Sequence, residues 1–415
     1  MQRAHERYGD IFTMRIAQEG TWVFLAHPDM VKEVFKGSPK RLHAGEANAI
    51  LGPVLGSQSV LLLDEESHMS QRKLLLPPFH GERMQRYGEL MREVTESEID
   101  SWAPGQPLEV WPRMQAVTLE IIMRAVFGLR EGERLDRLRT ALNEFLHFVT
   151  RASSMVTAAF LGPARVGALK SFKSEMRPVD ELLLGEICDR RSESDLEGRD
   201  DILSMLLQTR HADGQPMSDS ELRDELMTLL VAGHETTATS LAWAIERLVR
   251  HPAALHRLRD EIASGQEDYL DAVCKETLRL RPVLPLVVRL LTEPLEIGGY
   301  TLPAGAKVAP CIHLIHRRPD IYPDPAAFRP ERFLETPAGT YTWIPFGGGV
   351  RRCIGATFAL FEMRQVLSTI VERLDLEAPS GQSERVARRA ITLTPGAGAR
   401  VMVKARTRQR VAAAA

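Results

Sequence analysis

The clearest chemistry in the chain belongs to Cys353, which lies in a ten-residue run from Phe346 to Gly355. A thiol normally titrates near ~8.5, and neighbouring cations and a helix N-terminus lower that value. Arg351 and Arg352 supply the cations, and residues 356–374 have the apolar spacing of a helix that begins just after the cysteine. Three consecutive glycines let the backbone turn tightly and approach a flat ligand. The run predicts a stabilised thiolate in a loop that holds a planar group.

A second pattern sets a carboxylate beside hydroxyl groups in the middle of a long helix. The spacing predicts one helix over 219–250, about 50 Å long, with the run Ala232–Thr237 at its centre. Gly233 costs about 1 kcal/mol relative to alanine in a helix interior, so we expect another group to come close to it. Thr236 shares the face of Gly233, whereas Glu235 points about 100° away. The geometry suits a proton relay in which Thr236 faces a reacting group and Glu235 reaches toward solvent.

Other interpretations of this helix remain open. The Thr236 hydroxyl is able to bond back to the carbonyl of Ala232, four residues earlier, which loosens and bends a helix. The threonines also suit a plain structural helix with an exposed Glu235. His234 is a candidate second metal ligand, but its offset from the Gly233 face favours a structural or solvent-facing role.

A possible ion-pair network connects two distant segments. Glu276 and Arg279 are three residues apart on a predicted helix, and Arg332 follows downstream in the run Pro330–Phe333. Side chains at this spacing share a helix face and pair readily. The pair is common in solvated helices, so alone it indicates no function.

The motifs together resemble those of the cytochrome P-450 family. The family's cysteine loop reads Phe-x-x-Gly-x-Arg-x-Cys-x-Gly, and all five fixed positions match, as Phe346, Gly349, Arg351, Cys353 and Gly355. The run Ala232–Thr237 resembles the family's oxygen-activation motif, with Glu235 in place of the commoner aspartate. The resemblance extends from about Tyr8 to Lys404.

The resemblance implies a haem b cofactor and gives roles to particular residues. Cys353 would be the iron ligand, Thr236 and Glu235 would manage protons, and Glu276, Arg279 and Arg332 would hold the cysteine loop from below. Arginine binds carboxylates through two oxygens at once, which suits the haem propionates. The residues implied to contact the haem are His68, Arg72, Ala232, Gly233, Arg289, Phe346, Gly347, Arg351, Cys353 and Gly355.

The implied function is that of a haem-thiolate monooxygenase. Such an enzyme uses dioxygen and two external electrons to hydroxylate or epoxidise a small molecule. We expect the electrons to come from separate proteins, such as a ferredoxin and its reductase, attracted by Arg72, Lys73, Arg351 and Arg352. A peroxide-driven peroxygenase and a non-catalytic haem-binding sensor are the alternatives.

The substrate is less well defined than the cofactor. The resemblance implies pocket walls that include Leu229, Val287, Val288, Ile391 and Thr392. Because most of these side chains are apolar, we expect a lipophilic substrate such as a terpenoid, steroid, fatty acid or polyketide.

Composition restricts the remaining possibilities. The chain has 415 residues and a formal net charge of -2, which gives no indication of nucleic-acid binding. Four widely spaced cysteines favour a reducing, cytoplasmic setting without disulfides. We expect a monomer without a membrane span. The start at Met1 resembles the middle of an element, so we expect residues to precede it in the natural protein.

The elements that must position these residues are mainly helical, with a minor β region. Strand patterns occur at Ile11–Ile16 and Trp22–Ala26, return at 286–311 and end in a predicted strand pair at 388–404. Helical spacing covers 88–101, 114–128, 134–150, 166–191 and 356–374 in addition to the long helix. Because the sheet residues come from both ends of the chain, we expect one interleaved domain over 1–415, with a tail from about residue 406.

Overall fold

Helices dominate the computed structural model, which describes residues 1–16, 19–79, 83–128, 132–381 and 383–407. In chain order the α-helices are α1 (Gln2–Tyr8), α2 (Pro28–Lys36), α3 (Gly52–Leu55), α4 (Glu65–Leu75), α5 (Arg83–Ile99), α6 (Val110–Phe127), α7 (Glu133–Thr150), α8 (Ala152–Leu161), α9 (Pro163–Ala168), α10 (Lys170–Arg191), α11 (Ile202–Gln208), α12 (Asp219–Arg250), α13 (Pro252–Ala263), α14 (Asp268–Leu280), α15 (Ile312–Ile315), α16 (Arg332–Glu335) and α17 (Ala356–Arg373). The mainly helical prediction is confirmed.

The strands are short and form small sheets. They are β1 (Ile11–Ile16), β2 (Gly20–Leu25), β3 (Leu42–His43), β4 (Pro107–Glu109), β5 (Arg289–Leu291), β6 (Leu295–Ile297), β7 (Tyr300–Leu302), β8 (Lys307–Pro310), β9 (Leu374–Glu377), β10 (Val386–Arg389), β11 (Thr392–Pro395) and β12 (Arg400–Arg406). The largest sheet has the order β1-β2-β8-β5-β3, in which only β2 and β8 run parallel. It therefore joins strands from both halves of the chain, as the sequence predicts.

Helix α12 runs through the main hydrophobic core. Ser218 begins it with a capping box, because its hydroxyl accepts from the Glu221 N–H while the Glu221 carboxylate accepts from the Ser218 N–H. Its second half is almost wholly buried, and Trp243 is fully enclosed. Helix α6 packs along it, with Ile122 against Gly233. Burial on nearly every side explains how so long a helix is stabilised without a strong polar face.

The strand pair predicted at 388–404 is confirmed in part. Strands β10 and β11 form a hairpin with each other, whereas β12 pairs antiparallel with β4 and β9. Strand partners are chosen by non-local packing, which local periodicity does not reveal. Arg406 ends β12, and residues 408–415 of the predicted tail lie outside the described residues.

Candidate active site

The cysteine loop is folded back on itself and rests on α2. The Cys353 N–H donates to the carbonyl of Phe346 over 3.0 Å, which closes the loop. Gly347 and Gly349 have φ of 67° and 64°, a region that L side chains rarely adopt. A Cβ at Gly349 would overlap the carbonyl oxygen of Phe35. Glycine is therefore required both by the turn and by the contact with α2.

Cys353 has solvent-accessible surface, although many protein atoms lie within a wider radius of its thiol. Burial raises the pKa of this thiol, while the Gly355 N–H and the positive charges of Arg352 and Arg72 oppose the rise. The predicted lowering of the pKa is therefore wrong for the protein by itself, because desolvation outweighs the cations. Accessible surface inside the fold is what a metal ligand requires.

Two threonine hydroxyl groups in the middle of α12 donate to carbonyls of the preceding turn. The Thr236 hydroxyl donates to the carbonyl of Ala232 over 2.7 Å, the back-bond that the sequence allowed. One residue on, Thr237 donates to the Gly233 carbonyl over 3.1 Å. Ala232 is exposed and Thr236 is half-buried, so this turn of the helix borders open space. The close neighbour predicted for Gly233 is Ile122 of α6, whose side chain would lie 3.3 Å from an added Cβ.

Burial shifts the pKa of two ionisable groups beside this turn toward the neutral form. Burial raises the pKa of Glu235, and the charge of Arg389 only partly opposes it. Burial lowers the pKa of His234 to about 4, and its Nδ1 has no hydrogen-bond partner. Glu235 does not reach freely into solvent as predicted, because the β10–β11 hairpin brings Arg389 into its surroundings. His234 is buried, which fits the structural role and rules out the solvent-facing one.

A third ionisable group approaches the same turn from the helix that follows Cys353. Glu362 of α17 is 1% exposed, and its carboxyl group interacts with the Thr237 hydroxyl. Burial raises the pKa of Glu362 well above the ordinary value. Sequence reasoning missed this residue. Its position on the apolar face of α17, four residues after Phe358 and four before Val366, is the signal that would have found it.

The four predicted propionate partners lie in one region. Burial, together with the charges of Arg351, Arg72 and Arg289, lowers the pKa of His68 to about 3. The buried Nδ1 of His68 has no partner. Within the described ranges neither Arg72 nor Arg289 forms an ion pair, and the only carboxylate paired with Arg351 is that of Asp64. An excess of positive charge around an unsatisfied donor suits a ligand with two carboxylates, such as haem.

The ion-pair network beneath the loop is fully buried. Arg279 donates from Nε to Glu276 Oε2 over 2.6 Å and from Nη2 to Glu276 Oε1 over 2.8 Å, while Arg332 reaches the same Oε1 over 3.2 Å. The remaining donors of Arg279 bind the backbone carbonyls of His316, Pro325 and Ala327. The structure thus brings together the three residues that the sequence linked.

His316 connects this network to the cysteine loop. Its carbonyl accepts from Arg279, and its Nε2 accepts from the Ile344 N–H over 2.9 Å, two residues before Phe346. The Trp343 indole also donates to the carbonyl of Lys275 on α14. Two bonds therefore tie the chain leading into the loop to the helix that carries Arg279.

The predicted pocket residues occupy several elements. Leu229 lies on α12 one turn before Ala232 and is partly buried. Val287 approaches the cysteine loop, since its Cγ1 would lie 3.6 Å from a Cβ at Gly347. Val288 and Thr392 are buried, whereas Ile391 is 46% exposed at the tip of the β10–β11 hairpin.

A cleft at the end of α12 is lined by none of these residues. It has a volume of about 500 Å³ at the end of α12 and is lined by Glu246, Arg250, Pro379, Ser380, Ser383, Glu384, Arg385, Gly396, Ala397 and Arg400. A much smaller cavity of about 10 Å³ borders Arg289, Gly348 and Arg351. Because size alone does not identify a catalytic site, the chemistry of the side chains decides the assignment.

Comparison with known proteins settles the family. The Cytochrome P450 family model matches residues 1–399. The chain belongs to the cytochrome P450 family. The P450 135B1 of Mycobacterium tuberculosis is 42% identical over 407 residues, covering 96% of this chain and 85% of the relative. The P450 137 of the same species is 38% identical over 404 residues, covering 97% and 84%.

Solved P450 structures share the fold. Cyanobacterial CYP120A1 with bound retinoic acid has a TM-score of 0.84 and 24% identity, covering 98% of this chain and 94% of that one. The haem domain of cytochrome P450DA has a TM-score of 0.83 and 25% identity, covering 98% and 92%. The family resemblance and the P450 fold predicted from the sequence are confirmed.

Family membership establishes the general chemistry. This P450 is a monooxygenase with a haem-thiolate cofactor, and it uses dioxygen and electrons from redox partners. Among the described residues, no helix has both the length and the apolar composition required to cross a bilayer.

Proposed function

We propose that Cys353 is the iron ligand and that His68, Arg72, Arg289 and Arg351 bind the haem propionates. The observation that carries this proposal is the unsatisfied Nδ1 of buried His68 among three guanidinium groups. The other candidate thiols offer no comparable surroundings. Cys274 and Cys311 are fully buried, which raises the pKa of each to about 12.

Bound haem supplies the redox centre at which oxygen is activated and transferred to a substrate C–H or C=C bond. The chain contributes proton handling along α12. The raised pKa of Glu235 keeps a proton on its carboxyl group above the usual range of glutamate. The Thr236 hydroxyl donates to the Ala232 carbonyl and is able to redirect that bond to a nearby water. We assign proton supply to Glu235 and proton placement to Thr236.

The substrate is a lipophilic small molecule of the terpenoid, steroid, fatty acid or polyketide type. Support comes from the apolar side chains of Leu229, Val287 and Val288 near the haem side of the fold. Such a lining gains free energy by burying apolar surface, about 25 cal/mol per Å². The retinoic acid bound by CYP120A1 belongs to that protein, and it illustrates that this fold accommodates an apolar chain.

The electron donor is a separate acidic protein such as a ferredoxin, supplied by its reductase. Arg352 is exposed beside Cys353, and Lys73 is exposed next to Arg72 in the sequence; neither has an ion-pair partner in the part of the chain that is described. Arg351 is less accessible than the sequence suggested, because it is engaged with Asp64. The protein acts as a monomer in the cytoplasm, where its four unpaired cysteines remain reduced.

Replacing Cys353 with alanine tests the ligand assignment. In the reduced carbon monoxide complex, thiolate ligation gives a strongly red-shifted Soret band, which C353A is expected to lose. The matched controls C188A, C274A and C311A are expected to keep the band. Retention of the band in C353A, or its loss in a control, would overturn the assignment.

A further inference from the structure

The connection between α3 and α4 crosses the active site as an irregular segment. We call residues Gly56–Asp64 the strap. It consists of turns, and its internal hydrogen bonds are local, such as Leu62 N–H to Ser59 O over 2.8 Å and Leu61 N–H to Ser59 Oγ over 3.3 Å. A loop without regular structure keeps its position only through contacts with the elements around it.

Side chains on consecutive turns of α12 form hydrogen bonds with one side of the strap. The Gln58 N–H donates to Asp224 Oδ2 over 2.8 Å, and the Val60 N–H donates to Glu225 Oε1 over 2.8 Å. Between them, the Thr228 hydroxyl donates to Ser59 Oγ over 2.7 Å. Carboxylates thus bind two alternate backbone N–H groups of the strap.

The fit between strap and helix is tight at its start. Gly56 has φ of 87°, and a Cβ there would overlap the carboxylate of Asp224. Asp224 is charge-balanced by Arg223, whose Nη1 lies 2.9 Å away and which also pairs with Asp180. Glu225 is 0% exposed and has no such cation.

The far side of the strap is held by the cysteine loop. Arg351 donates to the Val60 carbonyl over 3.3 Å and also binds the Leu63 carbonyl and Asp64. The strap therefore touches α12 at Thr228, one turn before Ala232, and the loop at Arg351, two residues before Cys353. Because it bridges both, it closes one side of the space between α12 and Cys353.

We propose that the carboxyl groups of Asp224 and Glu225 clamp the strap against α12 and so set the rate at which bulky molecules enter and leave the space between Ala232 and Cys353. Both are positioning residues, since they act through the strap and not on a reacting atom. The proposal rests on haem occupying that space, as proposed above.

The clamp has a built-in pH dependence. Burial, together with the charges of Asp224 and Glu221, raises the pKa of Glu225 to about 8, while Gln71 and the hydrogen bond from the Val60 N–H oppose the rise. From α4, Gln71 is uncharged and His68 stays neutral because burial lowers its pKa to about 3.

An opened strap would expose Glu225 to water and restore the ordinary pKa of the carboxyl group. Since the open state then releases a proton that the closed state keeps, rising pH favours opening until the closed state also ionises. The open fraction rises by up to about tenfold per pH unit and levels off above about pH 8.

The test uses the haem-loaded protein and two uncharged iron ligands of different size, carbon monoxide and 1-adamantyl isocyanide. Losing one backbone bond to a buried carboxyl group should make opening easier by about tenfold. We expect E225A to speed both association and dissociation of the isocyanide by that factor relative to E225Q, and to leave carbon monoxide rates unchanged. E225Q keeps the carbonyl acceptor but cannot ionise, so its isocyanide rates should stay independent of pH and fall increasingly below those of the wild type as the pH rises toward 8.

Glu246 provides the matched control on the same helix. Its buried carboxylate also accepts a loop N–H, from Glu384 over 3.3 Å, but it lies far from the strap. E246A should lower stability without changing isocyanide rates. Acceleration in E246A equal to that in E225A would overturn the clamp, because general softening would then explain both.

Amide hydrogen exchange in the wild type gives a second measurement that needs no variant. Exchange at Gln58 and Val60, corrected for the intrinsic effect of pH, should rise up to about pH 8 and then level off. A flat corrected profile would overturn the clamp. Normal iron-ligand spectra in every variant with unchanged isocyanide rates would also overturn it while leaving the haem-binding proposal intact.

Discussion

The support beneath the cysteine loop and the middle of α12 satisfy their polar groups in opposite ways. Beneath the loop, Arg279 and Glu276 form an ion pair, and the Glu276 carboxylate and three backbone carbonyls accept hydrogen bonds from the guanidinium group. Along α12, Glu235 and His234 lack such partners, and burial moves the pKa of each toward the neutral form. The network beneath the loop fixes geometry with charged groups, whereas the middle of α12 disfavours charge and so favours the protonated form of Glu235.

The difference follows from how the protein interior treats charge. A buried ion is tolerated only with well-placed counter-charges and hydrogen bonds, so a charged network is stiff. A buried neutral acid has a proton to give and little to hold it in one orientation. Stiffness suits the positioning of a metal ligand, and a loosely held proton suits the delivery of protons to oxygen.

Breaking the charged network should produce the largest effect. Removing one partner of a buried ion pair typically costs about 3–5 kcal/mol, so R279A should lose that much free energy of unfolding and incorporate haem poorly. Urea denaturation and haem content measure both. The control R257A removes an exposed pair with Glu331 and should change stability by less than about 1 kcal/mol. Full stability and haem content in R279A would show that the network does not support the loop.

The two glycines of the cysteine motif should differ in their structural cost. G349A forces a left-handed residue onto the carbonyl of Phe35 and should cost about 1–3 kcal/mol even without haem. Gly355 has φ of -82° and no atom within 4 Å of an added Cβ, so G355A should change stability by less than about 0.5 kcal/mol. Thermal unfolding of the haem-free proteins measures the pair. Equal losses would mean that the contact with α2 does not restrict the loop.

Changes along α12 should affect stability least and chemistry most. T236A removes a small hydroxyl that already bonds within its helix, so we expect normal folding but about tenfold less product per electron consumed, with the missing electrons recovered as hydrogen peroxide. E235Q should slow reductant consumption itself, because it interrupts proton supply. The control S240A removes the same type of back-bond one turn further on and should leave coupling unchanged. Normal coupling in T236A would exclude its role in proton placement.

Local sequence signals predicted the helices better than they predicted the long-range contacts. The bounds of α12 were predicted as observed, because its start is encoded by Ser218 and helix-forming residues continue to Arg250. The pairing of β12 with β4 and β9 was missed, since strand partners distant in sequence leave no local pattern. Similarly, a helical wheel gave the direction of Glu235 but not the hairpin that brings Arg389 near it.

The site was predictable where chemistry restricts residue type. Cys353, Arg279 and Thr236 belong to motifs whose residue types and spacing are specific. Asp224 and Glu225 escaped notice because acidic residues on a helix usually indicate a solvated face. The apolar neighbours of Glu225 at Leu222 and Leu226 were the available warning that this carboxyl group is buried.

The contact of Gly349 with Phe35 has a consequence for the order of events during synthesis on the ribosome. The two residues come from opposite ends of the chain. Gly349 is synthesised late, and its backbone packs against Phe35 of α2, which is synthesised early. Domains usually begin to fold as they emerge, and contacts of large sequence separation form last. The loop that presents the thiol is therefore completed near the end of translation.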